Sequence, residues 1–106
     1  MSSSLPRVTT CTHSLKLLAD FWNLRIIESL LHGEQRYCEL QRSIGNVNPT
    51  TLTKKLTELE AAGLLARIEN SSGHSVSYTL TTLGKDSLPV LEAIKSFSKK
   101  YGQAQK

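Results

Sequence analysis

A stripe of leucines marks the most informative helix of the chain. Between Pro49 and Gly63, Leu52, Leu56 and Leu59 lie at i, i+4 and i+7, so they share one face that must be buried. The opposite face holds only hydrogen-bond donors and cations before Glu58. A helix with such a face suits a polyanion, and its width suits the major groove of DNA. The residues of this donor face are Thr50, Thr51, Thr53, Lys54, Lys55 and Thr57.

Three shorter helices are predicted before this one, from about Thr12, from Trp22 to His32 and from Tyr37 to Ile44. The turn at 45–48 then leads into the long helix, where Asn48 can cap the first turn and Pro49 suits the first helical position. Two helices joined by so short a turn predict a helix-turn-helix over about 37–62.

The hydrophobic period changes from about 3.6 to about 2 after Gly63. Leu64, Ala66 and Ile68 occupy every second position after Gly63. A turn-rich segment follows at 70–74, and Tyr78 and Leu80 then repeat the same spacing. This pattern predicts a two-stranded hairpin, a wing, over about 64–81. Helices with a polar-tipped hairpin predict a mainly α fold with a small β-hairpin, the winged helix-turn-helix.

The last predicted element runs over about 82–101, and Pro89 should bend or restart it. Its apolar stripe is too long for so small a domain to cover, so we expect a second subunit to cover it together with the first helix. A helix folded back on its own domain is the alternative. The expected dimer contacts are Leu15, Leu18, Leu88, Leu91, Ile94, Phe97 and Tyr101.

Composition and charge narrow the class of protein. The 106 residues suit one domain over about 11–101, with flexible ends at 1–10 and 102–106. Without an apolar run that could span a bilayer or serve as a signal peptide, the chain is expected in the cytoplasm, with no membrane partner. The four lysines after position 93 account for the net charge of +4. The net charge is therefore no evidence that the central helices bind nucleic acid. Two separated cysteines predict neither a disulfide scaffold nor a metal site, and no cofactor is expected.

The motifs together resemble the HxlR-type winged-helix transcriptional regulators. The resemblance covers Cys11 to about Tyr101 and includes Trp22 at the start of the second helix. Its further landmarks are the R-Y-x-E-L run at 36–40, L-T-x-x-L-x-E-L-E-x-x-G-L-L from position 52 and V-S-Y-T-L-T-T-L-G at 76–84. The Gly-Lys that usually precedes the tryptophan in this family is Asp20-Phe21 here.

The resemblance implies a homodimer that binds double-stranded DNA at an inverted repeat, usually as a repressor. The long helix would enter the major groove, while Arg36 and Arg42 would hold backbone phosphates. The wing at 70–75 has no Arg or Lys, so His74 is its remaining candidate for a phosphate contact. The expected DNA contacts are Arg36, Arg42, Asn48, Thr50, Thr51, Thr53, Lys54, Lys55 and His74. No motif in the sequence specifies the operator, the target genes or a small-molecule effector.

Two interpretations of Cys11 are open. It precedes the first helix, where the helix dipole favours a thiolate, and several members of the resembled family carry a cysteine that senses oxidants or electrophiles at this place. A small half-buried residue without a signalling role is the alternative. Cys38 is interpreted as structural, or as a partner that resolves oxidised Cys11.

Two other classes of function are alternatives to DNA binding. An enzyme is disfavoured, because the sequence has no nucleophile constellation and no phosphate-binding glycine loop. A winged helix that binds another protein is the stronger alternative, since one fold hosts both functions. Such a protein should expose Leu, Phe or Tyr on the face that holds the threonines and lysines here.

Overall fold

Helices form most of the molecule, and a small antiparallel sheet is built from three separate segments. The computed structural model describes residues 12–69 and 75–104. The elements in chain order are α1 (12–18), α2 (Phe21–Ser29), β1 (Gln35–Arg36), α3 (Tyr37–Ser43), α4 (Pro49–Ala61), β2 (Leu65–Glu69), β3 (Val76–Leu80), α5 (Thr82–Asp86) and α6 (Leu88–Ala104). The predicted class, mainly α with a small β-hairpin, is therefore confirmed. No helix within these ranges is long and apolar enough to cross a bilayer.

The core lies where α2, α3 and α4 meet the sheet. Leu52, Leu56 and Leu59 of α4 are each no more than 1% exposed, so the predicted leucine stripe faces inward. They pack with Ile26 and Ile27 of α2 in a cluster that includes residues of α3, β2 and β3. Burying these side chains stabilises the fold by roughly 1.5–3 kcal/mol each. The stripe therefore determines which face of α4 is left to solvent.

The sheet has the strand order β1–β3–β2, with both neighbouring pairs antiparallel. The predicted hairpin is confirmed, with Leu65 opposite Leu80 and Glu69 opposite Val76. The third strand was missed, because two residues are too few to show a hydrophobic period. Gln35 and Arg36 pair with Tyr78 and Ser77, which gives the far edge of β3 its hydrogen-bond partners.

The C-terminal part breaks into α5 and α6 at Ser87. A continuous helix would need an N–H from Pro89 for the carbonyl of Lys85, and the proline ring would meet that carbonyl. The predicted restart is therefore confirmed, with Pro89 as the second residue of α6. Helix α6 extends to Ala104, past position 102, where the predicted flexible tail begins. Residues 1–10, predicted as a flexible arm, lie outside the described residues.

Candidate nucleic-acid interface

The turn between α3 and α4 is held by local hydrogen bonds. Gly45 and Asn46 have φ of +102° and +56°, a left-handed conformation that glycine and asparagine adopt most readily. The side chain of Gln41 donates to the carbonyl of Val47 at 3.0 Å. Asn48 Oδ1 then accepts the N–H of Thr50 at 2.8 Å, the cap expected from the sequence. The first turn of α4 is thus fixed relative to α3.

Tyr37 joins the two helices of the helix-turn-helix. Its hydroxyl lies 3.2 Å from the carbonyl oxygen of Pro49 and 3.3 Å from the hydroxyl of Thr53. The sequence pattern had assigned Tyr37 only to the core, yet it is half-buried and places its polar end beside α4. The signal that could have shown this role is the residue type, since tyrosine combines an apolar ring with a polar tip.

A group of exposed donors surrounds the first two turns of α4. Thr50, Thr53 and Lys54 are exposed and line one shallow depression with Pro49. Asn48 beside them is also exposed, and Thr51 is half-exposed. We call Asn48, Thr50, Thr51, Thr53 and Lys54 the donor surface. Thr57 is exposed as well, but it does not line this depression, and its hydroxyl donates to the carbonyl of Thr53 at 2.8 Å, so it is not counted in this surface.

Lys55 does not share the donor surface, and the structure corrects its predicted position. Its Nζ lies 2.6 Å from Oδ2 of Asp20 and 3.8 Å from Oε1 of Glu58, and only 18% of its side chain is exposed. Position 55 follows Leu52 by three residues and precedes Leu59 by four, so it borders the buried stripe. Asp20 then draws the ammonium group toward α2.

Both charges of this ion pair are stabilised in the folded protein. Partial burial raises the pKa of Asp20, but hydrogen bonds from Lys55 and from the N–H of Asn23 outweigh it, so the pKa is lowered below 3.8. The hydrogen bond to Asp20 raises the pKa of Lys55 above 10.5 against a smaller opposing effect of burial. Lys55 is therefore charged at neutral pH, but its charge is directed to a protein carboxylate.

The two predicted phosphate contacts lie at the two ends of α3. Arg36 ends β1, and its side chain is 58% exposed, with Nη2 3.8 Å from Oε2 of Glu39. An exposed pair at this distance contributes little and leaves the guanidinium available. Arg42 is exposed in the last turn of α3. The remaining predicted contact, His74, lies outside the described residues.

The sequence of this chain is similar to those of known helix-turn-helix proteins. Residues 17–106 match the HxlR-like helix-turn-helix family. An HTH-type transcriptional regulator of Methanothermobacter thermautotrophicus is 34% identical over 85 residues, which cover 79% of this chain and 65% of that protein. The chain thus spans just under two thirds of this relative.

The chain belongs to the HxlR-like helix-turn-helix family.

Solved structures of transcriptional regulators share the fold of this HxlR-like chain. A MarR-family regulator from Porphyromonas gingivalis W83 is 30% identical and matches with a TM-score of 0.77, covering 84% of this chain and 88% of the other. YodB of B. subtilis in its reduced form is 26% identical with a TM-score of 0.76, covering 85% and 89%. The diamide-treated form of YodB also matches, with a TM-score of 0.72.

The residues predicted for a dimer interface divide into two groups in this HxlR-like structure. Leu18 and Leu88 are partly buried against the core of their own chain, and Leu91 is buried. Four other predicted contacts are each at least 41% exposed to solvent. Val90, which is not among the predicted contacts, is also exposed. The four exposed predicted contacts are Leu15, Ile94, Phe97 and Tyr101.

The cysteines of this HxlR-like chain are only partly placed. Cys38 on α3 is exposed and carries a free thiol. Cys11 lies outside the described residues. Within 12–69 and 75–104, no group of His, Cys, Asp and Glu is arranged to hold a metal ion.

Proposed function

We propose that this protein is a sequence-specific DNA-binding transcriptional regulator that inserts α4 into the major groove. The observation that carries the proposal is the donor surface, which groups hydroxyl, amide and ammonium donors on the exposed side of a well-anchored helix. Base edges and phosphates accept hydrogen bonds from such groups. Membership of a family whose relatives are transcriptional regulators supports the same function.

Different residues are proposed for base reading and for phosphate contact. Thr50, Thr51 and Lys54 lie on the first two turns of α4 and would reach base edges, as the early residues of a recognition helix do. Arg36 and Arg42, at the two ends of α3, would hold the phosphate backbone. Asn48 and Thr53 flank the reading residues and would add polar contacts. His74 is kept as a proposed wing contact from its sequence position alone.

We further propose that the protein is a homodimer whose interface includes the exposed side of α6. Val90, Ile94, Phe97 and Tyr101 are spaced at i, i+4, i+7 and i+11, and the rings of the last two stack with centroids 6.2 Å apart. Contiguous exposed apolar side chains of this kind mark protein interaction surfaces. A two-fold dimer would place two copies of α4 in successive major grooves about 34 Å apart, so the operator would be an inverted repeat.

Repression in the cytoplasm is the proposed mode of action, because a dimer bound across a promoter would exclude the polymerase. Oxidants would relieve it through Cys11. The thiolate of Cys11 would add to the N=N bond of an oxidant such as diamide, and one nitrogen would take up a proton. A second thiolate would then attack the sulfur of Cys11, forming the disulfide as the S–N bond breaks and the leaving nitrogen takes up the second proton to give the hydrazine. YodB, whose structure is known in reduced and diamide-treated forms, supports this part of the proposal. The second thiol would be Cys38 or Cys11 of the partner subunit.

The function is tested by selecting bound sequences from random duplex DNA with the reduced protein. We expect an inverted repeat to be enriched. If Lys54 reads a base, Lys54→Ala should weaken binding to the selected duplex by about 1–3 kcal/mol. The preference for one base should then be relaxed at a single position of each half-site. Lys99→Ala is the matched control, since Lys99 is an exposed lysine of α6 outside the proposed DNA contacts. Failure to enrich any sequence would contradict the proposal and favour a protein-binding winged helix.

A further inference from the structure

The carboxylate of Asp20 connects two helices with its two oxygen atoms. Oδ1 accepts the N–H of Asn23 at 3.1 Å and thereby caps α2. Oδ2 accepts from Nζ of Lys55 on α4 at 2.6 Å, across 35 positions of sequence. Both side chains are mostly shielded, with 25% and 18% exposed. A charged hydrogen bond that is partly removed from water is stronger and more directional than a surface ion pair.

Helix α2 is also linked to α6 by an ion pair. Oε2 of Glu28 lies 3.2 Å from Nζ of Lys95, and the other oxygen of Glu28 accepts from Arg25 at 3.1 Å. Helix α2 therefore stands between the helix that carries the donor surface and the helix proposed for dimerisation. Helix α2 contacts α4 through the Asp20–Lys55 pair and through the buried apolar side chains that both helices contribute to the core.

We propose that Lys55 is a positioning residue, which through Asp20 holds α4 at the angle on α2 that operator recognition requires. The inference rests on the proposed DNA-binding function and deepens it. It departs from the pattern of the resembled family, where Gly-Lys stands at the positions of Asp20 and Phe21. The donor surface reads DNA only if α4 is held in one orientation, because a base contact depends on hydrogen-bond geometry.

Asp20→Asn separates this role from simple electrostatics. Asparagine caps a helix as well as aspartate does, so the start of α2 is kept. The substitution removes one negative charge beside the DNA-binding helix, and electrostatics alone would strengthen binding to a polyanion. Loss of positioning would instead weaken specific binding. The two explanations therefore predict opposite signs.

The experiment measures affinity for the duplex selected by the wild-type protein, over a range of salt concentrations. Asp20→Asn and Lys55→Met should each weaken binding by about 2- to 30-fold, the range for residues that act through others. The double variant should bind no more weakly than either single variant, because both remove the same contact. Lys55→Arg should bind close to wild type, since it keeps the ion pair. The dependence of affinity on salt should stay unchanged.

Glu60→Gln is the matched control for charge, because Glu60 is an exposed acid on the same helix. Within the described parts of the chain its carboxylate makes no hydrogen bond or ion pair, and its backbone carbonyl accepts from the N–H of Gly63. This variant should bind as tightly as wild type or more tightly. The positioning role is overturned by the following pair of results. Asp20→Asn also binds as tightly as wild type, while Lys55→Met binds weakly and its affinity depends on salt with a slope smaller by about 0.9. Such a reduced slope is the signature of a lost phosphate contact.

A second measurement without DNA keeps the inference testable if no operator is found. Amide hydrogen exchange in the first turns of α4 should become faster in Asp20→Asn and in Lys55→Met, with thermal unfolding showing that both variants are folded. Unchanged exchange would overturn the positioning role whatever the protein binds. Failure of the wild type to enrich any duplex would count against the proposed function alone.

Discussion

Gly84 shows how a single hydrogen atom can be required by the fold. A Cβ atom at this position would overlap the backbone carbonyl oxygen of Leu64 and press against the side chain of Leu80. That carbonyl cannot easily move, because it accepts the N–H of Thr81 at 3.0 Å. The hydroxyl of Thr81 caps α5 at the N–H of Gly84 and donates to Gly63 at 2.6 Å. The end of the sheet and the start of α5 therefore meet without room for a side chain.

Gly84→Ala should destabilise the protein by about 1–3 kcal/mol, the usual cost of overpacking. The measurement is thermal or urea unfolding, where this loss lowers Tm by several degrees. Gly102→Ala is the control, because it adds the same methyl group to α6 where no atom lies within 4 Å. It should cost nothing, since alanine favours a helix over glycine. Equal stability of the two variants would show that the backbone near Leu64 can yield.

Cys11→Ser tests the proposed oxidant response at one sulfur atom. DNA bound by the wild-type protein should be released on treatment with diamide, and the variant should stay bound because no disulfide can form at this position. Gel shift of the selected duplex before and after treatment measures the effect. Cys38→Ser shows which thiol reacts with Cys11: retained release would point to Cys11 of the partner subunit. Unchanged release by the Cys11→Ser variant would end the sensor hypothesis.

At the scale of elements, α4 is specified by three local signals that agree. Asn48 caps it, Pro49 occupies its first position and the leucine stripe is buried. What the helix presents to solvent also depends on its neighbours, since the N-terminus of α2 supplies the carboxylate that holds Lys55. The donor surface therefore contains one lysine where the sequence predicted two.

The ion pair between α2 and α4 should make stability depend on pH. The pKa of Asp20 is lowered from 3.8, so its stabilising effect is complete above about pH 4–5 and is lost as the pH falls through the lowered pKa. The pKa of Lys55 is raised from 10.5, so its contribution is present below that value and is lost as the pH rises through the raised pKa. Between these limits the pair contributes fully.

The free energy of unfolding of Asp20→Asn should be lower than that of wild type by about 1 kcal/mol near pH 7, since the cap is kept and the charged pair is lost. The difference should shrink as the pH falls below 3.8, where the aspartate of the unfolded chain becomes protonated, and should vanish once the pH passes the lowered pKa of the folded state. Urea unfolding at several pH values measures it. Glu60→Gln, with no comparable contact, should show little difference at any pH. A difference for Asp20→Asn that stays constant into acid would contradict the assigned role of the charge.

At the scale of the whole molecule, α6 has two apolar sides with separate roles. Leu88 and Leu91 face the domain of their own chain, while Ile94, Phe97 and Tyr101 stay exposed. An amphipathic helix with a second apolar side left in water calls for a partner surface. This division underlies the proposal that two copies of the chain associate through α6.

Phe97→Glu should convert the proposed dimer into a monomer, because each subunit would place a carboxylate in an apolar interface. Sedimentation velocity of the reduced protein measures the change, and affinity for the inverted repeat should fall with it. Ser96→Glu is the control, since it adds the same charge to an exposed position turned about 100° from Phe97 around the helix. A wild-type protein that sediments as a monomer at micromolar concentration would contradict the proposed assembly.

Local patterns along the chain were enough to predict most elements of this protein. The helix-turn-helix, the hairpin and the break near Pro89 follow from period, capping and turn residues, all of which act between neighbours in sequence. The two-residue strand β1 could not be predicted in this way. It pairs only because β3 offers a free edge more than 40 residues later in the chain.

The buried face of α4 follows from the sequence alone, because leucines at helical spacing must leave water wherever the helix lies. The direction of Lys55 and the division of the α6 stripe instead depend on how the folded elements pack. A side chain at the border of a buried face turns toward whatever packs beside it, and for Lys55 that neighbour is Asp20. Such neighbours come from distant parts of the chain, so the hydrophobic pattern around a residue does not identify them.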